Sequence, residues 1–328
     1  MVVSTAINFS CMKQPEKEPS TPVKPTFDDS IPYNILGHGK LVFERIGPVD
    51  NAYNGVCVVD MDQQRKWEIS GEIMNDPAVS PDGNNIAYTN LYSDSTWYDV
   101  FIMNIDGTNQ RDITKMVGQE SCPSWTFDGT QILFTNFGTT EEASYSQSPE
   151  PKPSDRVKVI DYYAIDPPNI YPPRGLVSSS LNGELVVYAD GIRTFHSNGS
   201  GMQLIIPYDQ NSDHLIYSPS WSPDGSKIAV LSYKMNSDIA VVLFDPNGTN
   251  ADTVVSLSAT GNGAWVGQDN EFSLCWSPDG TQIAFTRPDG PQDGGVGSHI
   301  YVIKTDHTSL RQVTFSPGVT DMSLSWSN

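Results

Sequence analysis

Two carboxylates stand in the most glycine-rich segment of the chain. Asp289 and Asp293 share this segment with four glycines between positions 290 and 297. Carboxylate oxygens on a segment that can wrap around an ion are the ligands that Ca²⁺ prefers. The spacing differs from that of an EF-hand loop, and a solvated acidic turn is the alternative. Asp289 and Asp293 are therefore the candidate metal ligands, for calcium, which is the one cofactor that the sequence suggests.

Catalytic motifs that depend on local spacing are missing. The five histidines form neither H-E-x-x-H nor H-x-H, and the chain has no G-x-S-x-G elbow, no Walker A loop and no dinucleotide fingerprint. Histidines from distant parts of a chain can still meet around a metal ion. We therefore expect a protein that is not an enzyme, and we keep a metal-dependent enzyme as the alternative.

Cys11 differs from the other cysteines in its surroundings. It follows a short apolar run at positions 2–9 and precedes a polar, proline-containing stretch at 12–25. This order resembles the cleavage region of a bacterial lipoprotein, although a basic leader is missing and the apolar run is short. Cys11 is therefore the candidate lipidation site, with an ordinary N-terminal segment as the alternative. Cys57, Cys122 and Cys275 stand among apolar residues and are predicted to be buried thiols.

The charge balance excludes one class of partner and disfavours another. The chain has 19 Lys and Arg against 39 Asp and Glu, a formal net charge of −20. Nucleic-acid binding requires basic side chains that neutralise phosphates, so a nucleic-acid partner is not expected. Anionic membrane surfaces are disfavoured for the same reason. The sequence also has no apolar run long enough to span a bilayer, so Cys11 offers the only candidate anchor.

A four-residue turn recurs five times along the chain. It consists of Ser or Thr, then Pro, Phe or Leu, then Asp or Asn, and then Gly, and the Asp or Asn residues lie 46, 54, 42 and 55 residues apart. Proline sets φ at the second position, Asp or Asn caps the turn, and glycine adopts a positive φ. Short apolar stretches and a second Asp-Gly or Asn-Gly turn follow most markers. Four short strands in each repeat are typical of a propeller blade. These marker turns occupy 80–83, 126–129, 180–183, 222–225 and 277–280.

The two ends of the chain complete each other. The N-terminal region supplies three strands, near 40–45, 56–60 and 66–69, without the first strand of a repeat, whereas 323–327 matches a first strand alone. Pairing the two leaves no exposed sheet edge. We therefore predict an all-β fold over residues 31–328, a six-bladed β-propeller with four-stranded antiparallel blades, closed by the C-terminal strand. Residues 1–30 are predicted to be a signal- or lipoprotein-like segment and a flexible tether.

The repeat motif resembles that of TolB-like proteins. The resemblance rests on Trp-Ser-Pro-Asp-Gly at 221–225 and 276–280, followed by Ile-Ala-Val or Ile-Ala-Phe, and on Asp-Gly-Thr or Asn-Gly-Thr turns. It covers roughly residues 35–328 and implies a periplasmic or envelope propeller that engages protein partners through one of its ends; with Cys11 lipidated, the protein would be anchored to the outer membrane. TolB carries an α/β domain ahead of its propeller, which is not expected here, so its partner is not carried over. Prolyl oligopeptidase-type peptidases share the repeats but need a hydrolase domain with the missing G-x-S-x-G elbow.

Connections between antiparallel strands alternate between the two ends of such a ring. The marker turns and the Asp-Gly or Asn-Gly turns share one end, and longer connections at 46–55, 90–99, 137–156, 259–271 and 287–298 are predicted at the other. Inserted loops on a rigid scaffold usually carry binding. Aromatic rings there would suit a protein interface or sugar stacking. The predicted binding residues are Tyr53, Tyr92, Trp97, Tyr98, Tyr145, Trp265 and Arg287.

The sequence thus predicts a monomeric, non-enzymatic binding module of the bacterial cell envelope. Its expected partner is a protein or a glycan, bound through the loop-rich end. The alternative is a carbohydrate-active enzyme similar to metal-dependent polysaccharide lyases, with acidic or histidine residues converging on the central channel.

Overall fold

The computed structural model describes most of the chain between residues 30 and 327. Apart from one 3-10 turn, Tyr33–Ile35, every element of regular secondary structure in the described residues is a β-strand. Within these residues no helix is long and apolar enough to cross a membrane. The described ranges are 30–47, 54–70, 74–91, 97–114, 118–137, 142–150, 157–161, 177–188, 191–207, 214–234, 238–258, 272–289, 297–316 and 319–327.

Sixteen strands form four separate antiparallel sheets, each built from four strands that are consecutive in the chain. The first sheet contains β4 (Met74–Val79), β5 (Asn85–Leu91), β6 (Tyr98–Asn104) and β7 (Arg111–Asp112). The second contains β8 (Gln119–Trp125), β9 (Ile132–Phe137), β10 (Glu142–Gln147) and β11 (Val157–Asp161). The third contains β12 (Ser178–Ser179), β13 (Glu184–Tyr188), β14 (Gly191–His196) and β15 (Gln203–Pro207). The fourth contains β16 (His214–Trp221), β17 (Ile228–Lys234), β18 (Asp238–Phe244) and β19 (Asp252–Ser258).

The remaining eight strands form one sheet with two halves. One half contains β20 (Leu274–Trp276), β21 (Gln282–Asp289), β22 (Gly297–Lys304) and β23 (Arg311–Gln312). The other contains the C-terminal strand β24 (Thr320–Ser327) followed by β1 (Lys40–Ile46), β2 (Asn54–Asp60) and β3 (Arg65–Ser70). A single parallel bridge, Ser298 to Thr320, joins the halves. Strand β24 pairs antiparallel with β1 from Lys40–Ser327 to Ile46–Thr320, as the incomplete ends of the sequence predict.

The marker turns begin the second strand of each repeat by local hydrogen bonding. At 126–129, the carboxylate of Asp128 accepts hydrogen bonds from the Thr126 hydroxyl at 2.6 Å and from the Thr130 N–H at 3.0 Å. Gly129 has a φ of +69°, which a residue with a Cβ rarely adopts. The turn is therefore specified by residues within five positions of one another, which explains why its sequence signal is strong.

The hydrophobic core is divided into six clusters, and each lies between two neighbouring sheets or half-sheets. In one of them, Ile86, Tyr88 and Met103 pack against Val56 and Val58. A second strand such as β5 thus presents Ile86 and Tyr88 to the preceding sheet and Ala87 to the following sheet. This two-sided burial explains why the second strands read as continuous apolar runs in the sequence.

The first strands of successive sheets are joined by hydrogen bonds. Each bond joins two successive first strands, through residues that lie in a strand or within two positions of its end. The order of the strands is β24, β4, β8, β12, β16, β20 and again β24. Ser, Trp and backbone groups supply the partners, at 2.7 to 3.3 Å. The links are Val79 N–H to Ser325 Oγ, Trp125 Nε1 to Ala78 O, Phe127 N–H to Ser179 Oγ, Trp221 N–H to Ser178 Oγ, Trp276 Nε1 to Ser220 O, and Leu324 N–H to Ser273 Oγ.

One predicted loop is wrong. The segment 137–156 was expected to be a single connection, but Glu142–Gln147 forms strand β10 and pairs with β9 along its whole length. Its alternate residues Ala143, Tyr145 and Gln147 are buried. The alternation with period two was the available signal, and the polar residues between the buried ones obscured it.

Candidate functional site

Strand order places the connections of all sheets at two ends. The marker turns and the connections between third and fourth strands share one end, which we call the turn end. The connections between second and third strands and the crossings between sheets share the other, called the loop end. The chain passes from the third strand β10 to the fourth strand β11 at the turn end, so the described residues 148–150 lie there. This part of the predicted loop-rich surface is thus at the opposite end from the one expected.

Three of the predicted binding residues lie at the loop end. Trp97 directly precedes β6 and is 43% exposed, while its neighbour Tyr98 is half-buried. Arg287 lies near the end of β21, where its guanidinium is 5.5 Å from the centre of the Tyr301 ring. One guanidinium nitrogen donates to the Ser258 carbonyl at 3.3 Å, which ties the arginine to the preceding sheet. An arginine fixed by contacts on two sides and an exposed indole are groups that suit the binding of a partner at this end.

Tyr145 is placed elsewhere than expected. It is 8% exposed, and its ring stacks on Phe134 with centroids 5.8 Å apart. It belongs to the apolar cluster between the β4–β7 and β8–β11 sheets. Its contribution is therefore to the core, and the loop on which it was predicted does not exist.

Most of the other predicted site residues lie in segments that the structure does not describe. Tyr53, Tyr92, Trp265, Asp293 and Cys11 lie outside the described residues. The backbone of Asp289 ends strand β21 and pairs with that of Gly297. Among the described residues, no group of three His, Cys, Asp or Glu side chains could hold a metal ion. The calcium site and the lipidation of Cys11 stay predictions.

A buried ionic cluster lies near the loop end, where the two halves of the large sheet meet. The Asp321 carboxylate accepts hydrogen bonds from the Arg45 guanidinium at 2.7 and 3.0 Å, and His299 Nδ1 lies 3.8 Å away. Burial alone would raise the pKa of Asp321, but its hydrogen bonds and the charge of Arg45 hold that pKa below the usual range. The three side chains are almost fully buried. Asp321 is therefore an ionised carboxylate that joins two half-sheets.

The junction between the β4–β7 and β8–β11 sheets has a second cluster of opposite character. Glu120 is fully buried and accepts hydrogen bonds from Asn136 Nδ2 at 2.5 Å and from the Thr114 hydroxyl at 3.2 Å. Burial and a hydrogen bond shared with the Asp99 carboxyl raise the pKa of Glu120 to about 8. Glu120 therefore keeps its proton at neutral pH.

The two clusters occupy equivalent positions in the repeat. Thr114 and Thr314 each accept a hydrogen bond at 2.9 Å from a backbone N–H fourteen residues earlier, those of Val100 and Ile300. Asp99 corresponds to His299, Glu120 to Asp321 and Asn136 to Arg45. The same geometry thus holds an acid pair at one junction and an acid–base set at the other. Sequence reasoning missed both clusters because their members are far apart in the chain.

A third group of polar side chains lies where the first strands β24, β4 and β8 meet. Asp76 accepts a hydrogen bond from the Ser323 hydroxyl at 3.2 Å, and its own N–H donates to the Glu44 carboxyl at 3.2 Å. Burial and the charge of Asp76 raise the pKa of Glu44 to about 8. Asp76 has a φ of +52°, as do Cys122 and Ser323, and each stands at an irregularity in strand pairing. Repeated bulges of this kind bend a strand and redirect its side chains.

Comparisons with solved structures place this fold in a class. TolB from Acinetobacter baumannii matches 88% of the chain with a TM-score of 0.68 at 16% identity, and the chain spans 66% of that protein. A chain of the nidogen/laminin complex matches 88% with a TM-score of 0.62 at 9% identity and 99% coverage of that chain. Oligogalacturonate lyase in complex with manganese matches 83% with a TM-score of 0.52 at 11% identity and 78% coverage of that chain. At these identities the likeness concerns the fold alone: an all-β, TolB-like β-propeller.

The sequence also defines a family. The model of the dipeptidyl peptidase IV N-terminal region matches residues 50–321, which is most of the chain, and the protein belongs to this family. A search of the curated proteins finds no significant match.

Proposed function

We propose that the sheets are six blades of one closed ring. The support is that six apolar clusters and six sets of first-strand hydrogen bonds follow one another in a cycle, and that β24 pairs with β1. The bridge from Ser298 to Thr320 is then a contact between neighbouring blades within the eight-stranded sheet. In this arrangement the loop end and the turn end are the two open faces of the ring.

On this basis the protein is a binding module of the bacterial cell envelope that engages a protein or glycan through the loop end. The observation that carries this proposal is the exposed indole of Trp97 at an end whose strands are fixed by buried polar clusters. A rigid base under exposed aromatic groups limits the entropy lost on binding. The TolB-like fold and the context of Cys11 support the envelope location.

The test is binding to glycans and proteins extracted from the bacterial envelope. Trp97→Ala is expected to weaken binding about fivefold or more, because truncating an interface aromatic at a binding hot spot costs over about 1 kcal/mol. Leu204→Ala is the matched control, since Leu204 is 42% exposed on the outer strand β15, away from the loop end. Equal binding by both variants and the wild type would remove Trp97 from the site.

One observation favours a second function, a carbohydrate-active enzyme in the channel. Glu44, with its pKa of about 8, carries a proton at neutral pH beside the carboxyl group of Asp76. Paired carboxyl groups of unequal pKa can act as general acid and base where a substrate reaches them. The test is cleavage of polygalacturonate, followed through the absorbance of unsaturated products, with added Mn²⁺ or Ca²⁺. Activity that Glu44→Gln abolishes would favour the enzyme over the binding module.

A further inference from the structure

The turn end is lined by ionised carboxylates. Hydrogen bonds from Thr126 and Thr130 lower the pKa of Asp128. Although burial alone would raise the pKa of Asp82, hydrogen bonds from Ser80 and Asn84 lower it. The carboxylates that cap turns at this end and have a lowered pKa are Asp82, Asp106, Asp128, Asp224, Asp279 and Asp306. This end therefore keeps its negative charge well below neutral pH.

A cavity opens at the turn end between the β4–β7 and β8–β11 sheets. Its volume is about 430 Å³, and apolar surface from Pro81, Ile102 and Trp125 lines it. Its polar lining includes Asp82 and Asp128, together with Glu150 and Arg111. Glu150 accepts a hydrogen bond of 2.6 Å from Arg111, so the positive charge of the Arg111 guanidinium is already balanced by the Glu150 carboxylate. The cavity thus combines an apolar wall that includes an indole with uncompensated carboxylates.

The apolar surface continues outside the cavity. The second position of a marker turn is proline at 81, 223 and 278, but it is Phe127 and Leu181 in two adjacent sheets. Phe127 is 39% and Leu181 56% exposed. The Phe127 N–H donates to the Ser179 hydroxyl at 3.3 Å, which holds the two turns side by side. Two large apolar side chains are therefore exposed where the repeat uses proline elsewhere.

We propose that this part of the turn end is a second docking surface, for a basic segment of a partner protein. A lysine or arginine side chain of the partner enters the cavity, with its aliphatic stem on Ile102 and Trp125 and its charge at Asp82 and Asp128. A neighbouring apolar side chain of the partner packs on Phe127 and Leu181. Long basic side chains bury an apolar stem while the charged head contacts acidic groups, and an indole adds a cation–π contribution.

The chemistry of the cavity argues for a basic side chain over other ligands. An anion would meet carboxylates that have no free basic partner in the lining. For a metal ion, no group of three ligating side chains exists among the described residues. The Asp128 carboxylate also already accepts hydrogen bonds within its turn. It can therefore attract the positive charge of a lysine or arginine side chain, but it has fewer oxygen lone pairs left to coordinate a metal ion. The surface lies opposite the loop end and goes beyond the function proposed for that end.

The test uses a fluorescein-labelled, blocked peptide with the sequence Gly-Leu-Arg-Gly-Leu-Arg-Gly, and its binding is followed by fluorescence anisotropy at an ionic strength of about 0.1 M, where the screening length is about 10 Å. The double variant Asp82→Asn/Asp128→Asn is expected to bind it about five- to tenfold more weakly, since exposed ion pairs each contribute modestly. Asparagine preserves the turns: Asn182 stands at this position in one marker, and Asn247 caps a second-type turn by accepting from Thr249.

The matched control is Asp224→Asn/Asp279→Asn, which removes the same charge from the same kind of turn outside the cavity. Its affinity for the peptide is expected to change less than about twofold, because charges beyond the screening length contribute little. Phe127→Ala/Leu181→Ala is expected to weaken binding as well. The proposal is overturned if both carboxylate variants lose affinity equally, if a peptide with Gln in place of Arg binds as tightly, or if the wild type does not bind at millimolar peptide.

Discussion

Single residues in equivalent positions behave oppositely in this protein. Asp321 is ionised because Arg45 and His299 accompany it, whereas Glu120 keeps a proton because burial and the neighbouring Asp99 carboxyl raise its pKa. Both are fixed at sheet junctions by the same threonine-centred geometry. A raised pKa in this fold therefore accompanies a structural junction, and it does not by itself identify a catalytic group.

The acid pair predicts how stability depends on pH. Folded Glu120 retains its proton between its ordinary pKa of 4.5 and about 8, whereas the unfolded chain loses it. The folded state thus binds more protons in this interval, and the free energy of unfolding falls as the pH rises, by at most about 1.4 kcal/mol per pH unit. Glu44 contributes in the same direction. Urea unfolding across this interval should therefore show a shallower decline for Glu120→Gln than for the wild type.

Asp321→Asn is the comparison for Glu120→Gln, because it changes the equivalent position of the other junction. The Asp321 carboxylate has a lowered pKa, so it stabilises the fold above its ordinary pKa and loses that contribution as the pH falls through the folded value. Its replacement leaves the buried Arg45 guanidinium without a carboxylate, which costs about 3–5 kcal/mol at neutral pH. An unchanged slope in Glu120→Gln, or a stable Asp321→Asn, would contradict these assignments.

At the scale of strands and turns, predictability follows the range of the interactions. The marker turns are specified within five residues, and their predicted positions agree with the turns observed from Ser80 to Gly280. Strand β10 was missed because the residues between its buried positions are polar and only the alternation of Ala143, Tyr145 and Gln147 marks it. The junction clusters could not be predicted because Arg45 and Asp321 are 276 positions apart.

One turn makes a close contact with the preceding sheet that the sequence does not reveal. Gly248 lies in the turn between β18 and β19 with a φ of +79°, and a Cβ there would be 2.2 Å from the Ile205 carbonyl oxygen. Gly248→Ala is expected to lower the free energy of unfolding by about 2–5 kcal/mol, from overpacking and from the left-handed backbone. Chemical denaturation measures this loss.

Gly280→Ala provides the matched control for Gly248→Ala. Its φ of +70° is similar, but the nearest atom to a Cβ is Pro223 Cδ at an ordinary 3.6 Å. This variant should lose only about 1–2 kcal/mol, which is the contribution of the backbone conformation. Equal losses in the two glycine variants would mean that the turn after β18 does not touch β15.

At the scale of the whole molecule, the proposed ring assigns every connection to one of two faces. The loop end has Trp97 and the held Arg287 above buried polar junctions, and the turn end has the acidic cavity beside Phe127. Two chemically different faces on one rigid scaffold suit a protein that binds two partners at once. The loop-end proposal depends on β24 lying beside β1, because that pairing closes the ring, whereas the turn-end cavity lies between the β4–β7 and β8–β11 sheets.

A cross-link between the two terminal strands tests this arrangement most directly. Lys40 and Ser327 are paired residues of β1 and β24, so Lys40→Cys/Ser327→Cys should form a disulfide on mild oxidation of the folded protein. Peptide mass mapping should detect the link, and it should stabilise the fold by about 2–4 kcal/mol. Lys40→Cys/Ser256→Cys, with its second cysteine on the outer strand β19, should stay reduced. A folded Lys40→Cys/Ser327→Cys protein that forms no such link would contradict the closed ring.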